Sequence, residues 1–159
     1  MNAFLKGSTL LLAMALAGCA TRGGGGEAAG GMEVMRTHLG QPLARGQIAV
    51  EAFQPADAND PAFSAYAAAV GQQLTRLGWT VLPVRGTSEQ VALIDVTDAG
   101  GAAKLDVRLK RRSEGSVFWQ GQGTAEPGSA TARVAAVQRL AEAVFRDFPG
   151  ESGRTIRLR

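Results

Sequence analysis

The chain has 159 residues, of which 45% are hydrophobic and 19% charged, with a formal net charge of +3. That is one domain's worth of globular chain; it excludes a disordered segment and lacks the large basic excess of a nucleic-acid-binding module. One cysteine and one histidine exclude an intramolecular disulfide and a zinc centre built from those two residue types. The charge is unevenly spread: residues 19–103 carry 5 Lys/Arg and 8 Asp/Glu, and residues 104–159 carry 11 and 6, so the basic character belongs to the C-terminal part.

The chain begins MNAFLKGSTLLLAMALAGC. Lys6 supplies a positive start, Ser8–Ala17 an apolar run of ten residues, and Leu16–Cys19 a small-residue end. Such a run is too short to cross about 30 Å of hydrocarbon as a helix, which takes about 20 residues. The three parts together predict a secretory signal peptide. LAGC resembles the lipobox of bacterial lipoproteins. In that class the cysteine thiol takes a diacylglyceryl group, the chain is cut before it, and the new amino terminus is acylated. Carried over, residues 1–18 are the signal, and the mature chain starts at a lipidated Cys19 with 141 residues. The rival reading is an ordinary cleaved signal with an incidental cysteine. Ala20, where an Asp favours inner-membrane retention in Gram-negative lipoproteins, points to the outer membrane. The rest of residues 19–32 is rich in glycine and predicts a tether reaching about 20 Å. A phosphate-binding glycine loop would need a strand before it, a helix after it and a closing GK[ST], and the sequence provides none of these.

Residues 33–159 predict a single α+β domain. Glu33–Phe53 reads as two strands joined by a Gly/Pro-containing loop, with His38 near the end of the first and Ile48, Val50 and Ala52 sharing a face of the second. The next element is a helix. Asp60 can cap it, Pro61 suits its first turn, and Gly78 suits its end. Its buried stripe is Phe63, Tyr66, Val70, Leu74 and Leu77. Strands are then expected at 79–84, 89–97, 104–112 and 116–125, the last two forming a hairpin across Ser113–Gly115. A second helix, capped by Ser129, carries Val134, Val137, Ala141, Val144 and Phe148 on its buried stripe and stops at Pro149-Gly150. A last strand holds Ile156 and Leu158 inward. The expected architecture is a mostly antiparallel sheet with two amphipathic helices packed on one face.

Three of these segments, FSAYAAAVGQQLTRLGWTVLP, LDVRLKRRSEGSVFWQGQG and LAEAVFRDFPGESGRTIRLR, together with LAGC, resemble the bacterial lipoproteins with domain of unknown function 4136. The most specific piece is the Phe-x-x-Phe-Pro-Gly core made by Phe145, Phe148, Pro149 and Gly150. The resemblance implies a small periplasmic α+β domain on a lipid anchor, with no established activity and no catalytic residues to carry over.

The residues themselves offer little chemistry. A nucleophile needs a base beside it; the lone His38 reads as structural or solvated, and Cys19 as capped by lipid. A Ser-Lys pair would have to use Lys104 or Lys110, both outward. Asp95 and Asp98 read as turn residues beside glycines, and Asp106 as a surface acid neutralised by Lys104 and Arg108. Tyr66, Trp79 and Trp119 read as core. No cofactor or metal is expected. The remaining candidate is a basic face of Lys104, Arg108, Lys110 and Arg112, extended by Arg111, Arg157 and Arg159. It is either a solvated sheet surface or a contact for an anionic partner.

The expected function is a non-catalytic, lipid-anchored outer-membrane module on the periplasmic side. It would be held to the membrane through Cys19 and would contact another envelope protein, an anionic lipid or a glycan, but no nucleic acid. The alternatives are an envelope hydrolase with an unrecognised site, or a structural subunit of a lipoprotein assembly that pairs through an exposed strand edge.

Overall fold

The computed structural model describes residues 31–83, 87–126 and 130–158. The elements follow in the order β1 (Met32–His38), β2 (Gln47–Ala52), a 3-10 helix (Pro55–Asn59), α1 (Phe63–Arg76), β3 (Thr80–Leu82), β4 (Gln90–Ala99), β5 (Ala102–Arg111), β6 (Val117–Ala125), α2 (Ala130–Phe145) and β7 (Thr155–Leu158). The seven strands form one sheet in the order β3-β2-β4-β5-β6-β1-β7. The class is α+β, with the predicted succession of elements. The predicted signal and tether up to residue 30, Val84 at the end of the third expected strand, Ser129 and Arg159 lie outside the described residues.

The sheet is mixed, which corrects the expectation of a mostly antiparallel one. β2 pairs in parallel with both β3 and β4. The pairings of β4–β5, β5–β6, β6–β1 and β1–β7 are antiparallel. The helix between β2 and β3 accounts for the first of the parallel pairs. A helical crossover returns the chain to the end where it started, so the next strand runs the same way as the first.

One face of the sheet is apolar and covered by both helices. α1 packs on β2 and β3, α2 lies across β1, β5 and β6, and the two helices touch each other. Val34, Ile48, Ile94, Leu105, Val107, Leu109 and Trp119 point to this side and are buried. Each such aliphatic side chain contributes roughly 1.5–3 kcal/mol on burial.

α1 keeps its predicted stripe: Phe63, Tyr66, Val70 and Leu74 are buried, and Leu77 is half-buried just past the last turn. Asp60 Oδ1 accepts the Ala62 N–H at 2.8 Å before the first turn, and Gly78 takes φ +96° after the last.

α2 is shorter than predicted. It ends at Phe145, and Phe148 sits in the turn that follows. Asp147 adopts φ +55°, a left-handed conformation that breaks the helical path and that aspartate tolerates better than most residues. Phe148 still joins the core. Its ring centroid lies 5.1 Å from that of Trp119 and 5.5 Å from that of Trp79.

α2 approaches β6 closely because two glycines face it. A Cβ on Gly121 would lie 2.5 Å from Val144 Cγ1, and one on Gly123 would lie 3.0 Å from Leu140 Cδ2.

The ladder registers define two ends of the sheet. Met32 lies beside Ala125 and Leu158, at the end that carries the Gly100-Gly101 turn. His38, Trp119, Arg111 and Gln90 lie at the other end. β5 spans about 30 Å between them at about 3.3 Å per residue.

Candidate functional site

On the face away from the helices, β5 presents Lys104, Asp106, Arg108 and Lys110, the alternation predicted for it. Their ladder neighbours on β6 are Thr124, Gln122, Gln120 and Val117. Asp106 is not the surface acid expected. It is 5% exposed, because Gln120, Gln122 and Arg108 close over it. Its carboxylate accepts from Gln122 Nε2 at 2.6 Å, Gln120 Nε2 at 3.0 Å and Arg108 Nε at 3.1 Å. Lys104 takes no part in that network. Arg108 also lies over the Phe53 ring, 4.1 Å from its centroid. Asp95 sits inside β4, directly opposite Asp106 in the ladder, and is not a turn residue. The 97–101 segment gives the turn role to Asp98 alone, whose Oδ1 accepts the Gly101 N–H at 2.7 Å while Oδ2 pairs with Arg133 at 3.0 Å.

The predicted basic cluster divides into tied and free cations. Arg111 pairs with Glu114 at 3.2 Å and Arg157 with Glu33 at 2.7 Å. Arg112 pairs with Glu51 at 2.5 Å and also donates from Nε to the Ser88 carbonyl at 2.9 Å. The side chains of Lys104 and Lys110 make no ion pair or hydrogen bond among the described residues. Nor do these residues form one patch. Lys104 is near the Met32 end, Lys110 to Arg112 are near the far end, and Arg157 is three strands away from β5. Arg112 extends one residue past β5, so its side chain crosses to β2 instead of joining the strand's outward row.

A second interlocked polar region is one whose bonding sequence reasoning did not foresee. It lies at the end of α2 and in the 146–153 segment. Arg36, on the apolar face of β1, is 4% exposed. Its Nε donates to the Val144 carbonyl and its Nη2 to the Ala143 carbonyl, both at 2.7 Å, at a helix end where Ala143 otherwise accepts only the Arg146 N–H at 3.3 Å among the described residues. Burial pushes its pKa below the ordinary arginine value; Asp147 opposes that shift and Arg146 adds to it. Trp119 Nε1 donates to the Pro149 carbonyl at 3.0 Å, and the Gly153 N–H to the Arg36 carbonyl at 2.7 Å. The readable signal was Arg36 itself, a charged residue two positions after Val34 on a face that is otherwise apolar.

His38 belongs to the same region. Its Nδ1 accepts the Gly40 N–H at 3.0 Å, which leaves the proton on Nε2, and Nε2 donates to the Gly150 carbonyl at 2.9 Å. Ser152 Oγ lies beside it, but accepts the His38 N–H at 3.0 Å and donates to the His38 carbonyl at 3.2 Å. A histidine and a serine are therefore close, with both ring nitrogens and the hydroxyl engaged by backbone. Among the described residues no three His, Cys, Asp or Glu side chains converge in a metal-binding group.

Two clefts flank this framework. An apolar one of about 520 Å³ runs between α1 and the β2–β3 edge, lined by Val50, Ala67, Gly71, Val81 and Leu82 among others. A polar one of about 660 Å³ lies beside Arg36, bounded by the turn after α2 and by β7.

No family model and no curated protein sequence matches the chain. Comparison with solved structures finds the following similarities. A PelC dodecamer from Paraburkholderia phytofirmans is similar with a TM-score of 0.48 and 21% identity, over 71% of this chain and 94% of that one. A point variant of it gives a TM-score of 0.48 at 22% identity, covering 71% and 93%. A PDZ domain protein from Parabacteroides distasonis reaches a TM-score of 0.55 at 8% identity, over 81% of this chain and 39% of that one. The chain thus spans less than half the length of that protein. At 8% identity this last similarity speaks for fold alone, and the two at a TM-score of 0.48 carry no argument.

Proposed function

We propose that the chain is a lipid-anchored protein of the outer membrane, facing the periplasm, whose α+β domain acts as a non-catalytic interaction module. We also place it, by resemblance, among the lipoproteins with domain of unknown function 4136. The observation that carries the reading is LAGC at Leu16–Cys19, behind Lys6 and the apolar run Ser8–Ala17. Two or more acyl chains on Cys19 would give firm attachment, at about 0.8 kcal/mol per buried methylene. The non-catalytic part draws support from His38 and Ser152, whose polar atoms serve the backbone.

The test is fractionation of cells expressing the chain and its Cys19→Ala variant, with mass spectrometry of the amino-terminal peptide. The expected result is a diacylglyceryl-modified, acylated Cys19 in the outer-membrane fraction and loss of that anchorage in the variant. An unmodified Cys19, or a variant that stays membrane-bound after secretion, overturns the reading.

A subunit role in a larger assembly is favoured by one observation. Among the described residues β7 is an edge strand, paired with β1 on one side only, and its outer backbone groups can accept another strand.

A further inference from the structure

We propose that the polar cleft beside Arg36 is an oxyanion site that takes one phosphate group. The first reason is the unfinished bonding of Arg36. Its Nε and Nη2 are committed to Val144 and Ala143, and Nη1 has no partner among the described residues. No fully buried side-chain nitrogen or oxygen there is without a hydrogen bond, so Nη1 is the part of this buried residue that reaches open space. The cleft of about 660 Å³ is that space.

The second reason is charge. Among the described residues Arg36 has no carboxylate within ion-pair distance. Its nearest acid influence is Asp147, which makes no ion pair with it. Arg154 and Arg157 line the same cleft, so three arginines face two acids there, Asp147 and Glu151. Each is held only by an exposed pair, Arg154 to Glu151 at 3.0 Å and Arg157 to Glu33 at 2.7 Å, with the arginine side chains 72% and 85% exposed. Exposed pairs of this kind are worth about 0–1 kcal/mol, so both guanidinium groups can turn to a better acceptor. One cation on the floor and two on the rim suit the several acceptor oxygens of a tetrahedral anion.

The third reason is space at the floor. A Cβ on Gly150 would stand 2.5 Å from Arg36 Cδ and 3.0 Å from Nη1. The φ of +77° at Gly150 also favours glycine. The glycine keeps the approach to Nη1 open.

The phosphate can be free or the headgroup of a lipid, and the test separates the two. The full chain is followed by thermal unfolding in sodium phosphate and in sodium chloride of equal ionic strength. In parallel, its flotation is measured with vesicles of phosphatidylglycerol and of phosphatidylcholine. The comparison protein carries Arg154→Glu and Arg157→Glu at two exposed positions, and its circular dichroism is matched to the parent's to establish that the fold is kept. The expected result is a melting temperature raised by phosphate over chloride, with affinity about tenfold weaker in the double variant. A response to phosphatidylglycerol vesicles alone, lost in the double variant, assigns the group to a lipid and also supports the site. Equal responses to phosphate and chloride together with no vesicle preference overturn the proposal, as does a double variant that responds like the parent. Cys19→Ala leaves the phosphate response in place, so failure of the anchor and failure of the site read out separately.

Discussion

Arg36 on β1 donates to the carbonyl of Val144, 108 positions later, at 2.7 Å. With its second bond to Ala143, it fastens the end of α2 to the sheet from inside the core. Arg36→Met is expected to lower stability by about 3 kcal/mol, since it leaves two helix-end carbonyls without their charged donor. Arg36→Lys rescues little, because an ammonium on a single stem does not reproduce a planar fork. Urea unfolding midpoints of the three proteins check this. A variant within about 0.5 kcal/mol of the parent would show that the carbonyls find other donors.

The two glycines of β6 are expected to rank by their contacts. Gly121→Ala puts a methyl 2.4 Å from Trp119 Cη2 and 2.5 Å from Val144 Cγ1, whereas Gly123→Ala meets Leu140 and Val144 at 3.0 Å. The first is expected to cost about 2 kcal/mol and the second less, through overpacking. Gly46→Ala, with nothing within 4 Å, is the control. Equal midpoints for all three would mean that α2 can lift off β6 without loss.

Tyr66 is the sole tyrosine and is buried in α1. Burial raises its phenol pKa, the Asp60 carboxylate raises it further, and the Arg133 guanidinium opposes both. The neutral form is the one the fold holds. The contribution is therefore fully present below the unfolded value of about 10 and is lost as pH rises above it, since the unfolded chain releases its proton first. Phenolate absorbance and circular dichroism are expected to change together above that pH. Ionisation at the ordinary value in a still-folded chain would contradict the burial.

Within the predicted basic face, the arginines and lysines are expected to behave differently. Arg112→Ala loses the Glu51 pair and the bond to Ser88, and is expected to cost about 1 kcal/mol. Lys104→Ala and Lys110→Ala are expected to stay within about 0.5 kcal/mol of the parent. Thermal unfolding separates the two classes. Equal losses at all three positions would show that the lysines are also tied.

Much of the fold was legible because its signals are local. Leu105, Val107 and Leu109 alternate with charged residues, and Phe63, Tyr66, Val70 and Leu74 repeat at helical spacing. The parallel β2–β3 pair follows from a strand–helix–strand order that the sequence does show, whereas the β2–β4 pair joins strands that no local pattern brings together. The burial of Asp106 depends on Gln120 and Gln122 from the next strand, and register alone brings them there. Arg36 carried a readable anomaly, but its partners lie 107 and 108 residues away. The Phe-x-x-Phe-Pro-Gly segment was noticed as a resemblance. In the fold it supplies two rings to the Trp119 cluster and two carbonyls, those of Pro149 and Gly150, to Trp119 and His38.

β1 is an interior strand, with seven residues paired to β6 and four to β7. It is also the strand that follows the predicted anchor. A pull on the amino terminus would enter at Met32 and run along the strand axis. Hydrogen bonds on both flanks would then be loaded in shear, all at once, rather than peeled one at a time. The domain would resist traction from its own leash where a terminal strand at the sheet edge would unzip.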